Sequence, residues 1–222
     1  MAEKKLKAVL FDMDGTIMDS MPWHDKSWKE FLQRKNLDFT PQLWAALHHG
    51  TLVDIMPRIF GESISLEDIW RLGMEKEAIF KELYRGNTEP LAGVKEFLLE
   101  LRAAGIKTAL ATAADRSNAN FALDELDFHR LFDVVVSSNE VPVGKPEPDV
   151  YLFAAHCLKS DPENCVVFED SSSGIESGRR AGMKVIGVQT TIKDMSLLPV
   201  EKAIQDYTAI SLKELNHIFD AR

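Results

Sequence analysis

Val9-Leu10-Phe11-Asp12-Met13-Asp14-Gly15-Thr16 is an apolar run that ends in two carboxylates one residue apart, followed at once by a glycine and a threonine. Three apolar residues in succession fit a strand covered on both faces, because a strand with one solvated face alternates. The carboxylates then stand at the carboxyl end of a parallel strand. In open α/β sheets ligands bind at that end, near a switch in strand order. A plain Asp-Gly turn after a strand accounts for these eight residues equally well, so the meaning of Asp12 and Asp14 depends on what the other strands bring to the same edge.

The chain of 222 residues has room for one full core and a smaller second one. With 45% hydrophobic and 27% charged residues, and no apolar run long enough for a bilayer, its composition is that of a soluble globular protein without a membrane role. Lys4, Lys5 and Lys7 precede an apolar stretch that reaches Asp12 too early for a signal peptide, which predicts a cytoplasmic protein. Cys157 and Cys165 have no metal-binding spacing and predict two buried free thiols rather than a disulfide framework. A net charge of -9 argues against a nucleic-acid partner. It also requires any phosphate site to carry its own positive charge, from a metal, a lysine or backbone amides.

After Gly15 the pattern is helical. Ser20 and Pro22 open a helix carrying Trp23, Trp28, Phe31 and Leu32, and Leu43, Trp44 and Leu47 suggest a second. Leu52 to Phe60 form a third that Pro57 should kink or break, and Ile69 to Leu83 a fourth. The turn-rich Gly86-Asn87-Thr88-Glu89-Pro90 ends this stretch. From Leu91 helices alternate with the short strands at 106–111, 134–136, 165–168 and 185–188, and an amphipathic helix closes the chain. Such alternation predicts a Rossmann-like α/β core, a parallel sheet with helices on both faces. Residues 1–17 and 89–222 are expected to form it, and residues 18–88 an inserted all-helical cap.

A parallel sheet brings the residues after its strands to one edge. These are Asp12 and Asp14 after the first strand, Thr112 after the second, Lys145 after the third, and Glu169 and Asp170 after the fourth. Four carboxylates and one lysine in one small volume repel one another unless a cation joins them. An all-oxygen set favours Mg²⁺. Phosphoryl transfer uses such parts: cation and lysine neutralise the phosphoryl oxygens, Asp12 attacks as nucleophile, and Asp14 protonates the leaving group and then activates water. Thr112 and the following amide, at Ala113, would hold a phosphoryl oxygen.

Asp12-Met13-Asp14-Gly15-Thr16, Ala111-Thr112-Ala113, Gly144-Lys145-Pro146-Glu147-Pro148 and Phe168-Glu169-Asp170-Ser171 resemble, in order, the four motifs of the haloacid dehalogenase superfamily. The resemblance implies a helical cap inserted after the first motif. It implies Mg²⁺ held by the side chains of Asp12 and Asp170 and the backbone carbonyl of Asp14, with Glu169 in the same cluster. Met13 and Ala113 are carried as substrate contacts. An aspartate at position 14 favours phosphoryl transfer, because the dehalogenases of the superfamily lack this second acid.

Within the superfamily the chain is most similar to the group of β-phosphoglucomutase and small sugar-phosphate phosphatases. His24 matches a hinge histidine of the mutase, and Trp28 reads as packing between cap helices. The loop Leu47-His48-His49-Gly50-Thr51-Leu52-Val53-Asp54 departs from the mutase, with His49 and Val53 where the pattern has a lysine and an arginine. Capture of a second phosphate is then weaker, although Arg58 offers charge nearby and His49 a polar contact. The expected function is a phosphatase of a small phosphorylated metabolite, a sugar or sugar-alcohol phosphate, acting as a monomer or weak homo-oligomer. A phosphohexomutase and an inorganic pyrophosphatase are the alternatives. A phosphoryl-accepting regulatory module also uses an acidic strand-end cluster, but it needs neither Asp14 nor a large helical insert.

Overall fold

The structure, a computed structural model, describes residues 5–41, 43, 47 and 52–221. The chain divides into two compact units, one of Met1–Asp19 with Thr88–Arg222 and the other of Ser20–Asn87.

In the first unit six strands are found among the described residues: β1 (Ala8–Phe11), β2 (Lys107–Ala111), β3 (Val134–Val136), β4 (Cys165–Glu169), β5 (Lys184–Val188) and β6 (Lys202–Ile204). They form one sheet in the order β3-β2-β1-β4-β5-β6, parallel throughout. The order switches direction at β1, between β2 and β4. Loops leaving the carboxyl ends of β1 and β4 diverge there, which is where an open sheet offers a crevice.

Strand alternation assigns side chains to two covered faces. Ala8 and Leu10 of β1, with Cys165 and Val167 of β4, share a cluster with Val150, Tyr151 and Ala154 of the helix Asp149–Cys157 and Ile175 of the helix Ser172–Arg180. On the other face Phe11 stacks on Phe168 with ring centroids 5.1 Å apart, and both meet Phe97 of the helix Val94–Ala103 edge-on. Both faces are therefore buried, which is why β1 is apolar without interruption. The register pairs Phe11 with Phe168. One step further, alternation sends Asp12 and Glu169 to the Tyr151 face and Asp170 to the opposite one.

The α/β class and the helices on both faces agree with the expectation. Two local features of this unit differ. Strand β6 is a three-residue edge strand whose Lys202-Ala203-Ile204 carries no apolar run, so nothing in the sequence announces it. Cys157 is exposed rather than buried, because Val150, Tyr151, Ala154 and Ala155 define the inner face of their helix and leave Phe153 and Cys157 outside. Cys165 is buried as expected, and burial pushes its thiol up to about 12.

The second unit is helical in its described secondary structure. Numbering the helices described over their whole length in chain order, α1 is Met21–Arg34, α2 Leu52–Phe60 and α3 Leu66–Tyr84; those of the first unit are α4 (Val94–Ala103), α5 (Arg116–Leu126), α6 (Asp149–Cys157), α7 (Ser172–Arg180) and α8 (Leu212–Asp220). Trp28, Phe31 and Leu32 at helical spacing pack with Ile55, Met56, Ile69, Leu72 and Ile79. Pro57 lies inside α2 without breaking it. The ring removes one backbone bond to the first turn, and burial of Ile55 and Met56 just before the proline holds the helix through it. The first unit's own segments at the insertion lie side by side: Met18 forms an antiparallel bridge with Pro90, and Leu91 N donates to Ile17 O at 2.9 Å.

Candidate active site

The turn after β1 is built on backbone bonds. Thr16 N and Ile17 N donate to Met13 O at 3.1 and 3.0 Å, and Gly15 N donates to Met18 O at 2.8 Å. Gly15 has φ 78°, and a Cβ there would fall 2.0 Å from Asp170 Oδ2. Glycine is required twice, for the left-handed backbone and for the approach of the Asp170 carboxylate. Met13 itself is buried, at 2% exposed.

Lys145 draws the strand ends together. Its Nζ donates to Asp12 Oδ1 at 2.5 Å, to Glu169 Oε1 at 2.7 Å and to Ala111 O at 3.2 Å, which uses all three ammonium hydrogens on three neighbouring strands. Burial disfavours its charge, but Asp12 and Glu169 outweigh burial and hold the ammonium above its usual range. A buried positive charge of this kind is what an anion site in an acidic chain requires.

Glu169 is saturated with donors. Oε1 accepts from Lys145 Nζ and from Tyr151 OH at 2.9 Å; Oε2 accepts from Asp170 N at 2.9 Å, Ser171 N at 3.1 Å and Ser171 Oγ at 3.0 Å. Asp170 takes the hydroxyl of Thr191, while Thr190, whose one hydroxyl hydrogen goes to Gly15 O, lies 3.4 Å from the same carboxylate oxygen. Thr112 is buried, its Oγ1 accepting from Ala114 N at 3.0 Å, with the hydroxyl hydrogen left to donate. Ala113 beside it is exposed.

Asp12, Glu169 and Asp170 are buried and present carboxylate oxygens within 4.8 Å of one another. One lysine does not balance three carboxylates. Burial, then repulsion from Glu169 and Asp14 against the pull of Lys145, pushes Asp12 up to about 7. Burial, Glu169 and Asp12 push Asp170 up to about 8. A hard divalent cation fits this all-oxygen set and would return both groups to the ionised form. The side chain of Asp14 is half-buried and outside the three-carboxylate group, near enough for its charge to act on Asp12.

His24 and Arg58 belong to the helical unit. His24 stacks on Phe80 with centroids 3.9 Å apart, and its Nδ1 lies 2.7 Å from Lys76 Nζ. An ammonium only donates, so Nδ1 is the acceptor in this contact. Lys76 is itself buried, beside Glu77 at 2.8 Å and over the ring of Trp28. Arg58 is exposed in the last turn of α2, and His49 lies outside the described residues.

Sequence reasoning did not single out Tyr151, Thr190, Thr191 or Lys76. The two threonines follow β5 almost as directly as Thr112 follows β2, so the strand-end rule reaches them when it is applied to the fifth strand. Tyr151 and Lys76 sit in apolar helical stripes, where a tyrosine reads as core and a lysine as a solvated face.

The haloacid dehalogenase-like hydrolase family matches residues 6–182. A phosphorylated carbohydrates phosphatase of Thermotoga maritima is 32% identical over 225 residues, covering 97% of each chain. A fructose-1-phosphate phosphatase of Escherichia coli is 31% identical over 186 residues, covering 84% of this chain and 98% of its own. A crystal structure of a HAD hydrolase, family IA, variant 3, from Entamoeba histolytica superposes with a TM-score of 0.90 at 26% identity, covering 97% of this chain and 100% of that one.

Proposed function

The chain belongs to the haloacid dehalogenase-like hydrolases, and on that premise we propose that it is a Mg²⁺-dependent phosphatase of a sugar or sugar-alcohol phosphate. Residues 1–17 and 89–222 are its catalytic core and residues 18–88 its cap. The observation that carries the reading is the buried Asp12 carboxylate, paired with Lys145 beside Asp170, with a second aspartate two residues on. The names of two relatives, which act on phosphorylated carbohydrates and on fructose 1-phosphate, support the substrate class.

Asp12 and Asp170, with the backbone carbonyl of Asp14, would hold the cation, which supplies charge neutralisation at the phosphoryl oxygens and keeps Asp12 ionised. The chain does the rest. A carboxylate oxygen of Asp12 attacks phosphorus, the bond from phosphorus to the sugar oxygen breaks, and Asp14 gives that oxygen a proton. Asp14, now ionised, takes a proton from water as the water attacks the phosphorus of the aspartyl-phosphate. Asp12 and inorganic phosphate are released. Lys145 keeps its positive charge beside the reacting carboxylate, and the hydroxyl of Thr112 donates to a phosphoryl oxygen, through both steps. His24 and Arg58 of the helical unit, and His49, are substrate-contact candidates.

Phosphate release from a panel of sugar phosphates, sugar-alcohol phosphates and pyrophosphate, with Mg²⁺ and with EDTA, tests this. Release from sugar phosphates that needs Mg²⁺ and is lost in Asp12→Asn is the expected result. Turnover that survives in Asp12→Asn overturns it, and activity on pyrophosphate alone, or hexose-phosphate interconversion that needs a bisphosphate primer, replaces it.

A further inference from the structure

Tyr151 has no part in the steps above, yet it is wholly buried in the stripe of α6 otherwise made of Val150, Ala154 and Ala155. A phenol hydroxyl in a core costs stability unless it is paired. Its partner is Glu169 Oε1 at 2.9 Å, the same oxygen that receives Lys145 Nζ at 2.7 Å. The ammonium also lies 4.9 Å from the centroid of the Tyr151 ring. One side chain therefore touches both the lysine and its counter-ion. On its far side Glu169 is held by three donors to Oε2, and its carboxylate packs so closely on Gly174 that a Cβ there would lie 1.6 Å from Oε1.

We propose that Tyr151 is a positioning residue for Lys145. The hydroxyl fixes Glu169, and Glu169 and the ring face together set where the ammonium sits against Asp12 and against the phosphoryl group in transfer. Glu169 then serves as an anchor for the lysine and for the turn at Asp170 and Ser171, its oxygens being already filled. Without the hydroxyl, Oε1 keeps Lys145 as its single donor, and the ammonium is drawn toward Glu169 and away from Asp12. The proposal rests on the phosphatase reading above.

Tyr151→Phe keeps the ring and removes the hydroxyl. Its kcat is expected to fall about tenfold, since small misplacement of a charge-stabilising group acts on the transition state. Inhibition by orthovanadate, which takes up five-coordinate phosphoryl geometry, should weaken by a similar factor. KM and the Mg²⁺ concentration for half-maximal rate should stay within about twofold, a split that a general loss of packing does not produce. In a Glu169→Gln background, Tyr151→Phe should have no further effect, because the tyrosine acts through Glu169. Wild-type kcat and vanadate inhibition in Tyr151→Phe overturn the proposal, whatever the melting temperature does, and so does a full additional loss in the Glu169→Gln background. A wild-type protein without Mg²⁺-dependent phosphatase activity overturns the underlying reading as well; an active wild type with an indifferent Tyr151→Phe overturns this inference alone.

Discussion

Thr191 is a residue whose hydroxyl decides the position of a carboxylate. It donates to Asp170 Oδ2, while Thr190 donates to Gly15 O and lies 3.4 Å from the same carboxylate oxygen, so the loop after β5 holds Asp170 close to the β1 turn. Partners of this kind are worth about 10- to 100-fold in metal affinity in other proteins. Thr191→Val, which keeps the shape and loses the donor, should raise the Mg²⁺ concentration for half-maximal phosphate release about tenfold and leave KM for the sugar phosphate nearly unchanged. A Mg²⁺ titration of the two proteins measures this, and superimposable curves rule the role out. At this scale the sequence was legible where a polar residue directly follows an apolar strand, as Asp12 and Thr112 do. It was opaque at Tyr151, because a phenol in an apolar helical stripe differs from core packing only by a hydroxyl whose partner lies 18 residues away.

Among the elements, α7 shows how a helix start is shaped by the site beside it. Ser171 caps it by accepting from Gly174 N at 3.1 Å, and the Glu169 carboxylate rests against the same first turn, where the helix dipole favours negative charge. Propensity alone says that Gly174→Ala stabilises a helix by about 1 kcal/mol. The geometry says the reverse, because the new Cβ would lie 1.6 Å from Glu169 Oε1 and force the carboxylate off Lys145 and Tyr151. Gly174→Ala should therefore melt at a lower temperature and lose most of its kcat; a raised melting temperature with intact turnover would show that the carboxylate has room to move. Helices and strands with a clear apolar period were readable from sequence. Strand β6 was not, since an edge strand of three residues is defined by its neighbour β5 rather than by its own residues. The continuity of α2 through Pro57 was also hidden, because tertiary burial overrides a local rule.

For the whole molecule, the acidic cluster couples stability to pH and to metal. In the cation-free protein burial and mutual repulsion hold Asp12 at about 7 and Asp170 at about 8, against an ordinary 3.8. Between those limits the folded chain binds more protons than the unfolded one, so this site's contribution to stability falls as pH rises, and the loss is complete above about pH 8. A divalent cation takes the place of those protons. The rise in melting temperature on adding Mg²⁺ should be larger at pH 8.5 than at pH 5.5, and Asp170→Asn should flatten the difference; thermal melts with Mg²⁺ and with EDTA at both pH values check it. The bridge between Met18 and Pro90 has a separate consequence, for how such a protein diversifies. The core already holds the two ends of the insertion together, so the closure entropy of a longer insert grows by only about 0.6 kcal/mol for each doubling of length. A lineage can exchange one insert for another while the sheet and its strand ends stand still.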